Sequence, residues 1–133
     1  MQPHRTTLTA PPAGPLGPVG EHLAIAHLRD DGLAILATNW RLRSGEVRGE
    51  LDVVAADHQH GLVVVVEVKT RRSLAQGGPL VAVTAAKQQR IRRLTAAWLR
   101  AGDAPFRTVR FDVVGIVLPR AGTVTLDHVP GAF

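Results

Sequence analysis

A chain of 133 residues and 14.2 kDa supplies one compact domain with a real hydrophobic core, and too little for two. It contains no cysteine, which excludes disulfides and thiolate metal sites and leaves carboxylates, carbonyls and histidines as ligands, a set that favours Mg²⁺ or Mn²⁺ over structural zinc. A formal charge of +5, from 16 basic against 11 acidic residues, suits an anionic partner such as nucleic acid without specifying one.

No apolar segment approaches the roughly 18 residues of a membrane-spanning helix, and the first residues lack the apolar core of a secretory signal, so a soluble, cytoplasmic protein is expected. Fourteen of the 16 basic residues are Arg; Lys69 and Lys87 are the two lysines. Where Arg is the default cation, a Lys marks a position that a broad guanidinium would not serve.

Residues 1–17 hold Pro3, Pro11, Pro12 and Pro15 among Thr, Ala and Gly with no periodicity, and are expected to be a flexible tail ahead of a domain over 18–133. From Pro18, PVGEHLAIAHLRDDG fits a helix with Pro in its first turn and Gly32 after its end, and LAILATNW reads as a strand. Glu21 shares a helical stripe with Ile25 and Leu28. GELDVVAAD and LVVVVEVKT then read as two strands joined in a hairpin by the polar turn DHQHG. The second is apolar on both faces, as a central strand is.

After a Gly-Gly-Pro loop, Thr84 to Ala101 reads as a helix, with Thr84 as N-cap, Gly102 beyond its end, and an apolar stripe of Ile91, Leu94 and Trp98. TVRFDVVGIVLP and TVTLDHVPGAF supply two further strands. The expected architecture is α/β or α+β, a central mixed sheet of about five strands flanked by helices.

In a strand, residues two apart face the same way, so Glu67 and Lys69 project together, as do Glu50 and Asp52 on the hairpin partner. The short turn keeps the two strands adjacent, so Asp52, Glu67 and Lys69 can converge. Two carboxylates can hold a hard divalent cation that polarises a scissile phosphate, and the carbonyl of Val68 can add a ligand. A compact ammonium at Lys69 can orient water and stabilise charge growing on the phosphate. The bland reading is a cross-strand ion-pair cluster at the end of a sheet, and an isolated Glu-x-Lys favours it, because short motifs recur by chance.

Beyond these residues, the segments GEHLAIAHL, TNWR, GELDVVAAD, VVVVEVKTR, AVTAAKQQRIRRL, RFDVVGI and HVPGAF occur in the order and spacing of a known group. From about Gly20 to Phe133 the chain resembles the YraN-like family of small bacterial proteins, assigned to the restriction-endonuclease-like or PD-(D/E)xK superfamily and related to archaeal Holliday junction resolvases. The resemblance implies a restriction-endonuclease-like α/β fold. It also implies a metal-dependent endonuclease acting on DNA, branched or structured, with Mg²⁺ or Mn²⁺. Asp52 and Glu67 would be metal ligands, Lys69 the catalytic lysine, and Glu21 the first-helix acid that joins the metal site. Read blandly, Glu21 is a solvated carboxylate near a helix N-terminus. A Pro common before the first catalytic Asp is Leu51 here, and the terminal Asn-Ala-Phe pattern is Gly131-Ala132-Phe133.

Lys87 starts from the inward stripe of the second helix and either reaches the cleft and a phosphate or snorkels to water; Gln88 is a weaker candidate at the same edge. Arg71, Arg72, Arg90, Arg92 and Arg93 can line a path for a phosphodiester backbone or form an ordinary solvated face. Asp112 shares parity with Arg110 and reads as a structural ion pair, while His58 and His60 sit in a polar turn where a metal role is not expected. Because resolvase-like relatives cut two strands as dimers, a homodimer is compatible with this reading. The rival expectation is a nucleic-acid-binding protein that keeps the nuclease fold with little or no turnover.

Overall fold

In the computed structural model, residues 3–8, 11–43, 45, 47–75, 77–78, 83–103, 105 and 108–133 are described. Eight elements follow one another: β1 (His4–Leu8), α1 (Leu16–Asp30), β2 (Ala34–Arg41), β3 (Glu50–Asp57), β4 (Leu62–Arg71), α2 (Ala85–Ala101), β5 (Thr108–Val117) and β6 (Val124–Val129). The strands form one six-stranded sheet in the order β1-β6-β5-β4-β3-β2. β4 and β5 run parallel, joined by the crossover through α2, and the other neighbours are antiparallel. This is a mixed α/β architecture with a helix on each face, consistent with a nuclease-like fold.

The valine run of β4 follows from its place in the sheet. Val64 and Val66 pack with Ala24 and Leu28 of α1, Val53 and Ala55 of β3, and Val114 and Ile116 of β5. Val63 and Val65 pack on the other face with Ile91 and Leu94 of α2 and with Phe111 and Val113. A strand covered on both faces needs apolar residues at both parities. By the same alternation Glu67 and Lys69 leave the sheet on the α2 side, while Val68 and Thr70 face α1.

Local chemistry fixes the ends of the elements. The Thr84 hydroxyl accepts the backbone N–H of Lys87 at 3.2 Å, so α2 starts with one of its orphan donors satisfied. In the β3–β4 turn, Asp57 accepts the His60 backbone N–H at 3.1 Å and bonds the His60 ring at 2.8 Å, so His60 is used by the turn itself.

The sheet has six strands where about five are expected, because the stretch read as a flexible tail contains β1. His4–Leu8 pairs antiparallel with β6, and Arg5 forms an ion pair with Asp127 at 2.7 Å. Without β1, the edge of β6 would present unpaired backbone groups, and the Thr6-Thr7 pair suits an extended strand that covers them. Helix α1 likewise starts at Leu16 and not Pro18. Val19 N–H bonds to the Pro15 carbonyl at 3.0 Å, and Pro18 falls within the first turn, where its missing N–H costs nothing. Met1, Gln2, Thr9 and Ala10 of the expected tail, and Pro79 of the expected Gly-Gly-Pro loop, lie outside the described residues. Among the described residues, no helix is long and apolar enough to cross a membrane.

The C-terminal segment is fastened to β5. Asp112 is fully buried and accepts from Arg110 at 2.8 and 2.9 Å, from the Gly131 backbone at 3.0 Å, and bonds His128 Nε2 at 2.7 Å. Burial alone would push the Asp112 carboxyl up, but the hydrogen bonds from His128, Arg110 and Gly131 outweigh it and hold the group below the usual carboxylate range. Ala132 N–H bonds to the Phe111 carbonyl at 2.7 Å, and the Phe133 ring stacks on Phe111 with centroids 5.2 Å apart. Arg92 lies over Phe111 at 4.6 Å, so this member of the expected DNA-facing arginines makes a cation–π contact within the fold.

Candidate active site

The β3–β4 ladder runs from Asp57↔Leu62 to Val53↔Val66. One residue further on, a side chain takes over from the backbone: Asp52 Oδ2 accepts the Val68 N–H at 2.9 Å. That bond holds the Asp52 carboxyl against Glu67, close enough for the two acids to share a hydrogen bond. Glu67 is 7 % exposed and is ion-paired with the Lys87 ammonium from the first turn of α2. Burial pushes the Asp52 carboxyl up to about 7; the neighbouring Glu67 charge adds to the rise, while the Val68 N–H and Lys87 oppose it.

Glu21, Asp52, Val68 and Lys69 line one open cavity of about 350 Å³, together with Thr70 and the residues that open α1. Glu21 is fixed there by Asn39, whose amide Nδ2 donates to Oε1 at 2.6 Å; the carboxylate can only accept, which sets the amide's orientation. Asn39 has φ +50°, the sole positive value at a non-glycine among the described residues, a conformation that Asn tolerates better than most. It falls between the paired positions Thr38↔Val53 and Trp40↔Leu51, level with Asp52. Sequence reasoning did not single out Asn39; the available signal was a polar Asn inside a run that otherwise reads as a strand.

Gly20 explains how α1 comes close enough to deliver Glu21. It is buried, and a Cβ there would lie 1.9 Å from Thr70 Oγ1 of β4. Gly20→Ala is therefore expected to push α1 off the sheet and cost about 1–3 kcal/mol. Denaturant unfolding would register the loss, and any activity that depends on Glu21 should fall with it; an unchanged midpoint would show that α1 has slack at this contact.

The other expected site residues are placed unevenly. Lys87 reaches the acidic pair, where its partner is Glu67. Gln88 turns its amide to the Val83 carbonyl at 3.2 Å, and Arg72 donates to the Leu118 carbonyl at 3.1 Å, so both have partners within the fold. Arg71 lies beside Lys69 in a small neighbouring cavity bordered by Gly77 and Gly78, and its buried Nη1 has no hydrogen-bond partner among the described residues. Glu21, Asp52 and Glu67 do not form a trio with ligand atoms all within 4.8 Å; among the described residues that compactness belongs to His27, Asp31 and His128. The Asp52–Glu67 pair nonetheless fits a hard divalent cation. Its donors are carboxylate oxygens with a backbone carbonyl nearby, and Lys87 offsets the charge of one of the two acids.

A profile of the family described as "Uncharacterised protein family UPF0102" matches residues 20–116. A "UPF0102 protein" of Nocardia farcinica is 47% identical over 118 residues, covering 89% of this chain and 88% of the relative. One from Mycolicibacterium smegmatis is 47% identical over 116 residues, covering 87% and 90%, and one from Kineococcus radiotolerans is 48% identical over 118 residues, covering 87% and 91%. The chain belongs to the UPF0102 family, the YraN-like group whose motifs its sequence carries.

Proposed function

We propose that this protein is a metal-dependent nuclease that hydrolyses phosphodiester bonds of DNA in the cytoplasm, with branched or structured DNA as its substrate. The observation that carries the reading is the convergence of Glu21, Asp52, Val68 and Lys69, from three separate segments, on one open cavity. Asp52 and Glu67, with the Val68 carbonyl, would hold Mg²⁺ or Mn²⁺. When bound, such an ion supplies positive charge to the phosphate and makes water a better nucleophile. Lys69 presents an ammonium to the attacking water and to charge developing on the phosphate oxygens. Glu21, held by Asn39, completes the acidic wall. Arg71, beside Lys69, would add positive charge near an adjoining phosphate.

The test is incubation with supercoiled, linear, single-stranded and four-way-junction DNA, with Mn²⁺ or with chelator, alongside Asp52→Ala and Lys69→Ala. Cleavage that requires the metal and disappears in both variants supports the nuclease. The Glu67–Lys87 ion pair favours a second reading, since it satisfies part of the acidic pair without an ion. On that reading the protein binds nucleic acid without turnover, and salt-sensitive binding with no cleavage of any substrate is its signature. Symmetric cleavage of a junction also calls for a homodimer, which sedimentation with and without the junction would detect.

A further inference from the structure

We propose a second metal site, independent of the acidic pair, that takes Zn²⁺ or a similar borderline transition-metal ion on His27, Asp31 and His128. The donors are His27 Nε2 and Asp31 Oδ2, one turn apart at the end of α1, and His128 Nδ1 from β6. The two ring nitrogens are 2.9 Å apart, and Asp31 Oδ2 lies 3.6 Å from His27 Nε2 and 3.7 Å from His128 Nδ1. Zinc–ligand bonds of about 2.0–2.1 Å at tetrahedral angles put neighbouring donors roughly 3.3 Å apart. The three atoms thus already outline one face of such a tetrahedron.

Two further features point to a ligand. His128 is buried, and its Nε2 is bonded at 2.7 Å to Asp112, which Arg110 and the Gly131 backbone hold in place. A carboxylate behind an imidazole places the ring proton on the far nitrogen and leaves the near one as a lone pair, the arrangement that supports metal-ligating histidines. Asp31 is also the C-cap of α1, where negative charge opposes the helix dipole, so helix stability gives no reason for an acid there. Access is available, because His27 and Asp31 open onto a cavity of about 370 Å³ bordered by Thr6, Leu23 and Leu126. That space admits the ion and a water as fourth ligand. Metal-free, the same two nitrogens share a hydrogen bond, so for the ion to take its place the His27 ring proton moves to Nδ1 and Nε2 becomes the ligating lone pair.

Calorimetric titration of the full chain with Zn²⁺, and visible absorption after loading with Co²⁺, test the site. The expected result, besides any ion on the acidic pair, is one ion per chain with the absorption of tetrahedral Co²⁺, and this ion is retained in Asp52→Asn. Affinity should fall at least ~100-fold in both Asp31→Asn and His27→Ala. Asp31 has 41% of its side chain exposed, so its Asn variant keeps the fold and remains informative should His27→Ala unfold. Absence of binding in Asp52→Asn at 100 times the protein concentration, or tetrahedral Co²⁺ absorption that survives Asp31→Asn or is lost in Asp52→Asn, overturns the proposal.

Discussion

Asp52→Asn is expected to raise the melting temperature of the metal-free protein at pH 8 while reducing metal-dependent cleavage by roughly 10³-fold. The two effects have one cause. The fold moves the Asp52 carboxyl from 3.8 to about 7, chiefly by burial and then by the Glu67 charge. Its folded pKa lies above its unfolded one, so the fold favours the protonated form. Stability from this group is intact below pH 4, declines as pH rises towards 7, and is level above that. The full cost of ionisation is at most about 4 kcal/mol. Asparagine keeps an oxygen for the Val68 N–H and removes the charge.

The difference in melting temperature between variant and wild type should therefore be near zero at pH 4 and reach about 5 °C or more above pH 7. Mn²⁺ should close the gap by stabilising the wild type alone. A variant less stable than wild type at pH 8 would mean that the Asp52 charge serves the fold.

The second large effect lies at the other end of the sheet. Asp112→Ala is expected to cost about 3–5 kcal/mol, because it leaves the partly buried Arg110, His128 and the Gly131 N–H without their common acceptor. Against a typical total of about 5–15 kcal/mol, much of the stability goes. The pH dependence has the opposite sign to that of Asp52. Hydrogen bonds hold the Asp112 carboxyl below its usual range against the pull of burial. Its contribution is present above the unfolded value near 4 and is lost as pH falls through the depressed folded value. Urea unfolding from pH 3 to 8 would show the penalty of the variant shrinking towards the acid end. A penalty below about 1 kcal/mol at pH 7 would show that the network is replaceable.

Much of the fold could be read from local pattern. The hairpin of GELDVVAAD and LVVVVEVKT has β-branched runs around a polar turn, and α2 has a hydroxyl cap and an apolar stripe, so β3, β4 and α2 lie close to where they are expected. β1 was hidden because HRTTL has no apolar alternation and is stabilised by the edge of β6, more than a hundred residues away. The shared parity of Glu67 and Lys69 was also legible.

The partners were not. Which cation meets Glu67 depends on where α2 docks, and the structure pairs it with Lys87. Asn39 reaches Glu21 only because β2 and α1 pack together. His27, Asp31 and His128 meet across a sequence separation that no spacing rule spans. Contacts set by register and docking across distant segments leave no local trace.

Diffraction at the manganese absorption edge from crystals soaked in Mn²⁺ bears most directly on the nuclease assignment. One anomalous peak bonded to both Asp52 and Glu67 at about 2.2 Å, beside the cavity that Lys69 and Glu21 line, is the predicted outcome. An acidic pair that stays closed on Lys87, with no anomalous density at saturating Mn²⁺, would contradict it.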